Sequence, residues 1–286
     1  MLIRRNLRLF FRDRANVLFS LLAVFIILAL YALFLGSLME DALRAAAGME
    51  SDQIRPLTAS IILGGMIAVT SLTSCLGAME TKVADRNGAG RDFLTSPISR
   101  GKLTRSYMLG SAAVGLLMTL LILVITVAYI VAIGGNLPSA ADWGRLALTL
   151  VFSVLCGNAM VFLFTVFLKS PGAFAAMSAV IGSLSGFVMG IYIPIGTLPE
   201  AVQWVIRLFP MSHAAGMFRQ ILAAPSLEAL FEGAPPEVVA DFEAFYGIVF
   251  HYGDFTSGFW FSAAVLVVTT LIFYGLSVAM VRRRQD

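Results

Sequence analysis

Charge is what this sequence has least of. Only 13% of its 286 residues are Asp, Glu, Lys or Arg, about half the ~25% usual for soluble domains. The complement is a hydrophobic fraction of 59% and a mean hydropathy of +0.88. A soluble chain of this size cannot bury that much apolar surface and still present a wetted exterior. A globular enzyme of cytosol or secretion and a disordered tail are therefore excluded. A polytopic membrane protein remains. Cysteine is nearly absent too. Cys75 and Cys156 sit singly inside apolar runs and read as packing residues, which excludes a disulfide scaffold and a cysteine metal site. Histidine is just as rare. His213 and His251 lie outside the apolar runs, and His251 with Asp254 gives two ligands without a third.

What the chain does have is six uncharged apolar stretches, at 17–39, 57–79, 107–133, 146–168, 172–195 and 257–281. As a helix even the shortest would be roughly 35 Å long, enough for the ~30 Å hydrocarbon core. Helices are expected because lipid offers no partner to open backbone groups, and the alternation of a β-barrel strand is missing. The fold class is therefore an all-α polytopic membrane protein, one domain over 1–286 with six transmembrane helices. The first stretch is too long for the apolar core of a cleaved signal and lacks a small-x-small site.

The charges outside the stretches are sorted by side. Fifteen basic residues flank the spans on one side and five on the other; the acids divide five to twelve in the opposite sense. The excess of positive charge marks the inner side, so both termini are expected in the cytoplasm, with the chain multi-pass in the cytoplasmic membrane. The same sorting accounts for a pI near 9.0 and leaves no reason to expect nucleic acid as a partner.

The connecting segments carry their own signals. Residues 1–16 read as an interfacial helix. Leu2, Ile3, Leu7, Phe10 and Phe11 share one face, and Arg4, Arg5, Arg8 and Arg12 surround it near anionic membrane lipid. Plain positive-inside flanking is the alternative. The inner loop 80–106 mixes both signs around Gly88-Ala89-Gly90, and Ser96-Pro97 has the form of a helix start. It reads either as a solvated loop or as a docking element. The outer segment 196–256 begins apolar, but Arg207, Pro210, His213 and Arg219 break 198–222. Such a piece can enter the outer leaflet and return as a broken hairpin between helices five and six. Residues 223–256 hold six acids and Pro235-Pro236 and read as a solvated cap.

Two stripes stand out inside the spans. Ser178, Gly182, Gly186 and Gly190 recur every four residues, overlapping G-x-x-x-G motifs that suit helix packing within the chain or contact with a second copy in a dimer. Pro194 is expected to end that span. Thr70, Thr73 and Ser74, with Gly77, form a small polar stripe that either borders a translocation path or packs against a neighbour. Asn158 is the one amide in the spans and is expected to bond across helices.

Two more absences bear on function. There is no G-x-x-x-x-G-K-[ST], so no phosphate-cradling loop. The spans hold no Asp, Glu, Lys or His for an ion relay or an intramembrane protease. A chain without a nucleotide site, catalytic residues, metal or cofactor of its own suggests a passage driven by a separate subunit.

A resemblance enters on three runs: Ile193-Pro194-Ile195-Gly196-Thr197-Leu198-Pro199, then Leu208-Phe209-Pro210-Met211-Ser212-His213 followed by Arg219, and Phe93-Leu94-Thr95-Ser96-Pro97-Ile98-Ser99-Arg100 in the inner loop. In order and spacing they resemble the membrane subunit of an ATP-binding-cassette exporter of the type-2 permease class, over essentially the whole chain. The resemblance implies a dimer of two such permease chains, identical or not, above two cytosolic ATPase subunits that bind ATP and Mg. It implies export of drugs, lipids, polysaccharides or peptides, with spans two and five beside the path. The inner loop would carry ATPase coupling, for which Arg86, Arg91, Asp92 and Phe93 are the candidates. The long acidic cap departs from the pattern. An ion-exporting permease of the same architecture and a non-transport sensor or scaffold remain as alternatives.

Overall fold

The computed structural model describes residues 2–47, 52–87, 100–168 and 170–283. Among them six helices are long and apolar enough to cross a membrane. The described residues are all-α apart from one hairpin of two-residue strands, as the apolar runs foretold.

The amphipathic N-terminus forms α1 (Leu2–Arg12). Asp13 interrupts it before α2 (Arg14–Ser20) and α3 (Leu22–Leu30). A π-helical turn at Tyr31–Leu35 then leads into α4 (Gly36–Ala47). Glycine at 36 has a local cause: a Cβ there would lie 3.0 Å from the Tyr31 carbonyl and 3.1 Å from its ring. The first span is thus a jointed series of helices rather than the single rod expected over 17–39.

α5 (Ile54–Asn87) follows, 34 residues or about 51 Å long. It is the axis of the molecule. Of its most apolar window 89% is buried, against 17% for the fifth span and 11% for the sixth. α6 (Arg100–Ala132) and α7 (Ala140–Phe167) pack on one side of it, and α3, α4 and α8 (Pro171–Val188) on another. The expected inner loop 80–106 is therefore too long. Helix α5 continues eight residues past Met79, because Glu80, Lys82, Ala84 and Arg86 are good helix formers that end the apolar run without ending the helix.

α8 is capped at its start by Ser170, whose hydroxyl accepts from the Ala173 amide, with Pro171 in the first turn. It stops at Val188, well before Pro194. The cause is Gly190, at φ +62, which turns the chain while the Ile191 amide bonds back to the Gly186 carbonyl at 2.9 Å. Gly190 consequently lies beyond the helix and is not a fourth member of a helical stripe.

The broken outer segment resolves into α9 (Glu200–Leu208) and α10 (Pro210–Leu222), joined at Phe209 where Pro210 forces a new start. α10 is buried along almost its whole length against α5, α7 and α13 (Phe259–Arg283). The cap is more ordered than its acids suggested: α11 (Ala224–Leu230), α12 (Pro236–Phe245) and a hairpin pairing β1 (His251–Tyr252) with β2 (Phe255–Thr256).

Inside the bundle, Asn158 fulfils its sequence expectation. Its Nδ2 donates to the Met108 carbonyl and its Oδ1 accepts from the Tyr274 hydroxyl at 2.7 Å, joining α6, α7 and α13. Cys75 and Cys156 are both buried and free.

Candidate functional site

The polar stripe on α5 does not act as one surface. Thr70 and Ser74 are fully buried. The Thr70 hydroxyl bonds back to the Met66 carbonyl at 2.8 Å, and the Ser74 hydroxyl has no hydrogen-bond partner among the described residues. Thr73 and Gly77, one turn apart, lie on another side and reach a cavity of about 550 Å³. Of the three stripe residues named as path candidates, only Thr73 lines it.

The cavity lies between four elements. α2 and α3 contribute Phe19, Ser20, Leu22 and Ile26; α5 contributes Thr73, Gly77 and Glu80; α8 contributes Phe174, Ser178 and Gly182; Tyr192 closes the far end. On its α8 side the wall is set back by small residues. A Cβ built on Gly182 meets nothing within 4 Å. The Ser178 hydroxyl is buried without a hydrogen-bond partner among the described residues. The α8 stripe is thus a cavity wall at Ser178 and Gly182 and not an in-chain packing seam there. Gly186 plays a third part. A Cβ on it would lie 2.1 Å from the Tyr192 ring, so its bare backbone seats that ring, which also meets Phe187 edge-on at 4.9 Å.

One face of the bundle carries α1, the end of α5 and the start of α6, and these are tied together. Arg5 grips Asp85 with both guanidinium nitrogens, at 2.9 and 3.3 Å. The Tyr107 hydroxyl donates to the same carboxylate. Asn6 is buried and donates to the Ser106 carbonyl at 3.1 Å, and Phe10 packs on Val114 and Met118. Lys82, which the sequence placed in a loop, is buried instead. Its Nζ donates to the Thr165 hydroxyl at 2.8 Å and sits 3.9 Å from the Phe162 ring centre. Of the coupling candidates, Arg86 lies in the last turn of α5, but its side chain is outside the described residues. Arg91, Asp92 and Phe93 lie wholly outside them.

The opposite face is organised by Arg219, expected only as a break in 198–222 and as part of a family-like run. It is fully buried, yet meets no carboxylate among the described residues. Its guanidinium donates to four carbonyls: Ile61 (2.9 Å), Met189 (2.6 Å), Gly190 (2.9 Å) and Gly247 (3.2 Å). One side chain on α10 thereby holds α5, the turn after α8 and the cap. Gly64, Gly65, Gly190 and Gly247 all crowd it closely enough that a Cβ on any of them would touch it. Clustered glycines opposite a buried arginine were the available signal.

His213, on the same helix, bonds to the Arg207 carbonyl through Nε2 at 3.0 Å and to the Ser262 hydroxyl through Nδ1 at 3.1 Å. A carbonyl only accepts, so Nε2 carries the proton and Nδ1 accepts from Ser262. That ring is a strut between α9, α10 and α13. His251 bonds to Thr256 within the hairpin. Among the described residues no three His, Cys, Asp or Glu side chains gather as metal ligands.

The arrangement is a membrane bundle with a partly open cavity against its central helix, and polar ties at both ends of that helix. A family model described as ABC-2 type transporter matches residues 1–223 of the chain. No curated protein matches it.

Proposed function

The chain belongs to the ABC-2 type transporter family, and we propose that, as the membrane permease subunit of an ABC transporter, it exports its substrate through the cavity between α2, α3, α5 and α8. Energy comes from separate ATPase subunits that bind ATP and Mg on the cytoplasmic side. The face carrying α1 is cytoplasmic, as the basic excess there requires. The substrate is of the drug, lipid, polysaccharide or peptide type. A second permease chain completes the path, for which the little-buried outer sides of α8 and α13 leave room. The membrane is the cytoplasmic one.

The observation that carries this reading is the continuity of α5. Thr73 on the cavity wall and Arg86 near the ATPase side belong to one unbroken helix. A movement imposed at Arg86 therefore reaches the cavity without crossing a joint; Arg91, Asp92 and Phe93, outside the described residues, are the proposed further contacts of the coupling loop.

The test is reconstitution with the partner ATPase. Thr73→Trp is expected to fill the cavity and abolish substrate stimulation of ATP hydrolysis, with assembly intact. Exchanging the signs of Arg91 and Asp92 is expected to uncouple hydrolysis from transport. Full transport by both variants would refute the assignment of path and coupling loop.

A further inference from the structure

The chemistry of the cavity points to the charge of what it takes, an inference resting on the permease reading above. Its walls are apolar and aromatic, with hydroxyls at Thr73 and Ser178. Its one lining carboxylate is Glu80, at the basic-face end, and no Lys, Arg or His lines it among the described residues. Glu80 has no ion-pair partner among the described residues.

Beyond Glu80 lies a second hollow, between α1 and the end of α5. Glu80 lines both. The second is bordered by Asp13, Glu80 and Asp85 against Arg5 and Arg12. Arg5 is committed to Asp85. The way into the cavity is thus locally acidic on a face whose overall charge is basic. A positive group passing this point gains a carboxylate that has no ion pair among the described residues, and a negative group is repelled where the apolar wall lowers the dielectric.

We propose that the cavity binds amphipathic monocations, the apolar body between Phe19, Phe174 and Tyr192 and the positive centre against Glu80. At about 550 Å³ the space falls within the ~300–1,000 Å³ range of small-molecule sites. The unpartnered Ser178 hydroxyl supplies one polar contact part-way along. Glu80 stands three residues from Gly77 and seven from Thr73, so on a helix the carboxylate, gap and hydroxyl follow one face.

The probes are tetraphenylphosphonium and tetraphenylborate, ions of one shape and opposite sign. Binding of each is measured to the full chain in lipid nanodiscs, with empty nanodiscs subtracted. Tetraphenylphosphonium is expected to bind saturably and at least about tenfold more tightly than tetraphenylborate. Glu80→Gln is expected to weaken the cation by about tenfold and leave the anion unchanged or improved; Glu80→Asp should retain the preference, which controls for folding. Gly182→Leu, placed where a side chain meets open space, should displace both probes. Equal binding of the two ions, or cation binding unaltered in Glu80→Gln, overturns the charge assignment and leaves the permease reading standing. Cation binding unaltered in Gly182→Leu overturns the cavity as the site. Failure of Thr73→Trp to affect the reconstituted transporter would instead strike the permease path itself.

Discussion

Replacing Arg219 by methionine keeps an unbranched apolar stem and removes its five N–H donors. Four hydrogen bonds disappear. The Ile61 carbonyl lies within helix α5, where an intrahelical donor can serve it. Those of Met189, Gly190 and Gly247 lie outside helices and receive no other donor among the described residues. Three buried acceptors would be orphaned at ~1–3 kcal/mol each, or about 3–9 kcal/mol in all. Relief from burying the guanidinium offsets part of this, because its desolvation costs several kcal/mol that the methionine does not incur. The expected net loss therefore lies in the lower part of that range, about 3–5 kcal/mol, an apparent Tm lowered by roughly 6–20 °C for a chain of this size. The assay is fluorescence-detected size-exclusion after a heat step, in detergent. Arg219→Lys should recover little, because one ammonium cannot copy a planar fork directed at three segments. Gly65→Ala attacks the same hub from outside, since its Cβ would lie 2.8 Å from the guanidinium and 2.7 Å from Ile191. It should lower the Tm in the same direction by less. A Tm shift under about 2 °C in Arg219→Met would refute the idea that this residue holds the acidic face together.

Three further expectations follow from the geometry. The Arg5–Asp85 tie is only partly sheltered, at 31% and 13% exposed side chains, so a double-mutant cycle with Arg5→Ala and Asp85→Asn should give a coupling of about 1 kcal/mol and fall with added salt; no coupling would remove the tie from the stabilising contacts. Gly186→Ala should displace the Tyr192 ring, read as a larger Tm loss than Gly182→Ala, whose Cβ meets open space; equal effects would contradict the seating of that ring. Burial raises the Glu243 carboxyl pKa, and His251 partly opposes it. With the folded value above the unfolded one, protonation favours the folded cap, and its stability falls as pH rises from the ordinary carboxylate range through the raised value. Hydrogen exchange over α12 should show protection decreasing in that window in the wild type but not in Glu243→Gln.

Charge-free apolar length pointed to the six helices that are long and apolar enough to cross a membrane, because lipid-crossing helices must be long and uncharged whatever their neighbours do. The same signal misjudged where helices end. The apolar run stops at Met79 while α5 runs to Asn87, since hydropathy reports the bilayer and hydrogen bonding reports the helix. It erred the other way at α8, where Gly190 at φ +62 turns the chain inside an apolar run. The stripes were visible but not their partners. Spacing put Ser178, Gly182, Gly186 and Gly190 in register; only the fold separates a cavity wall from a ring seat and a turn. Burial of Lys82 and the hub at Arg219 depended on carbonyls and rings far away in sequence, which no local pattern encodes.

The two ends of α5 make a mechanical argument that neither end makes alone. At the basic face Asp85 is held by Arg5 and Tyr107, which belong to α1 and α6. At the acidic face the Ile61 carbonyl is held by Arg219, which also holds the turn after α8. Between them the helix is packed on nearly every side except at Thr73 and Gly77, where the cavity opens. A dense interior is bistable rather than compliant, so a helix fixed at both ends and void in the middle has one direction in which to move. If the cavity is the proposed path, α5 and α8 would part or close across Thr73 and Gly182 while Arg219 keeps their ends at the acidic face together. Loosening Arg219 should then raise basal ATP hydrolysis in the reconstituted complex, and loosening Arg5–Asp85 should lower the response to substrate. Identical effects of the two changes would show that α5 does not behave as a lever with distinct ends.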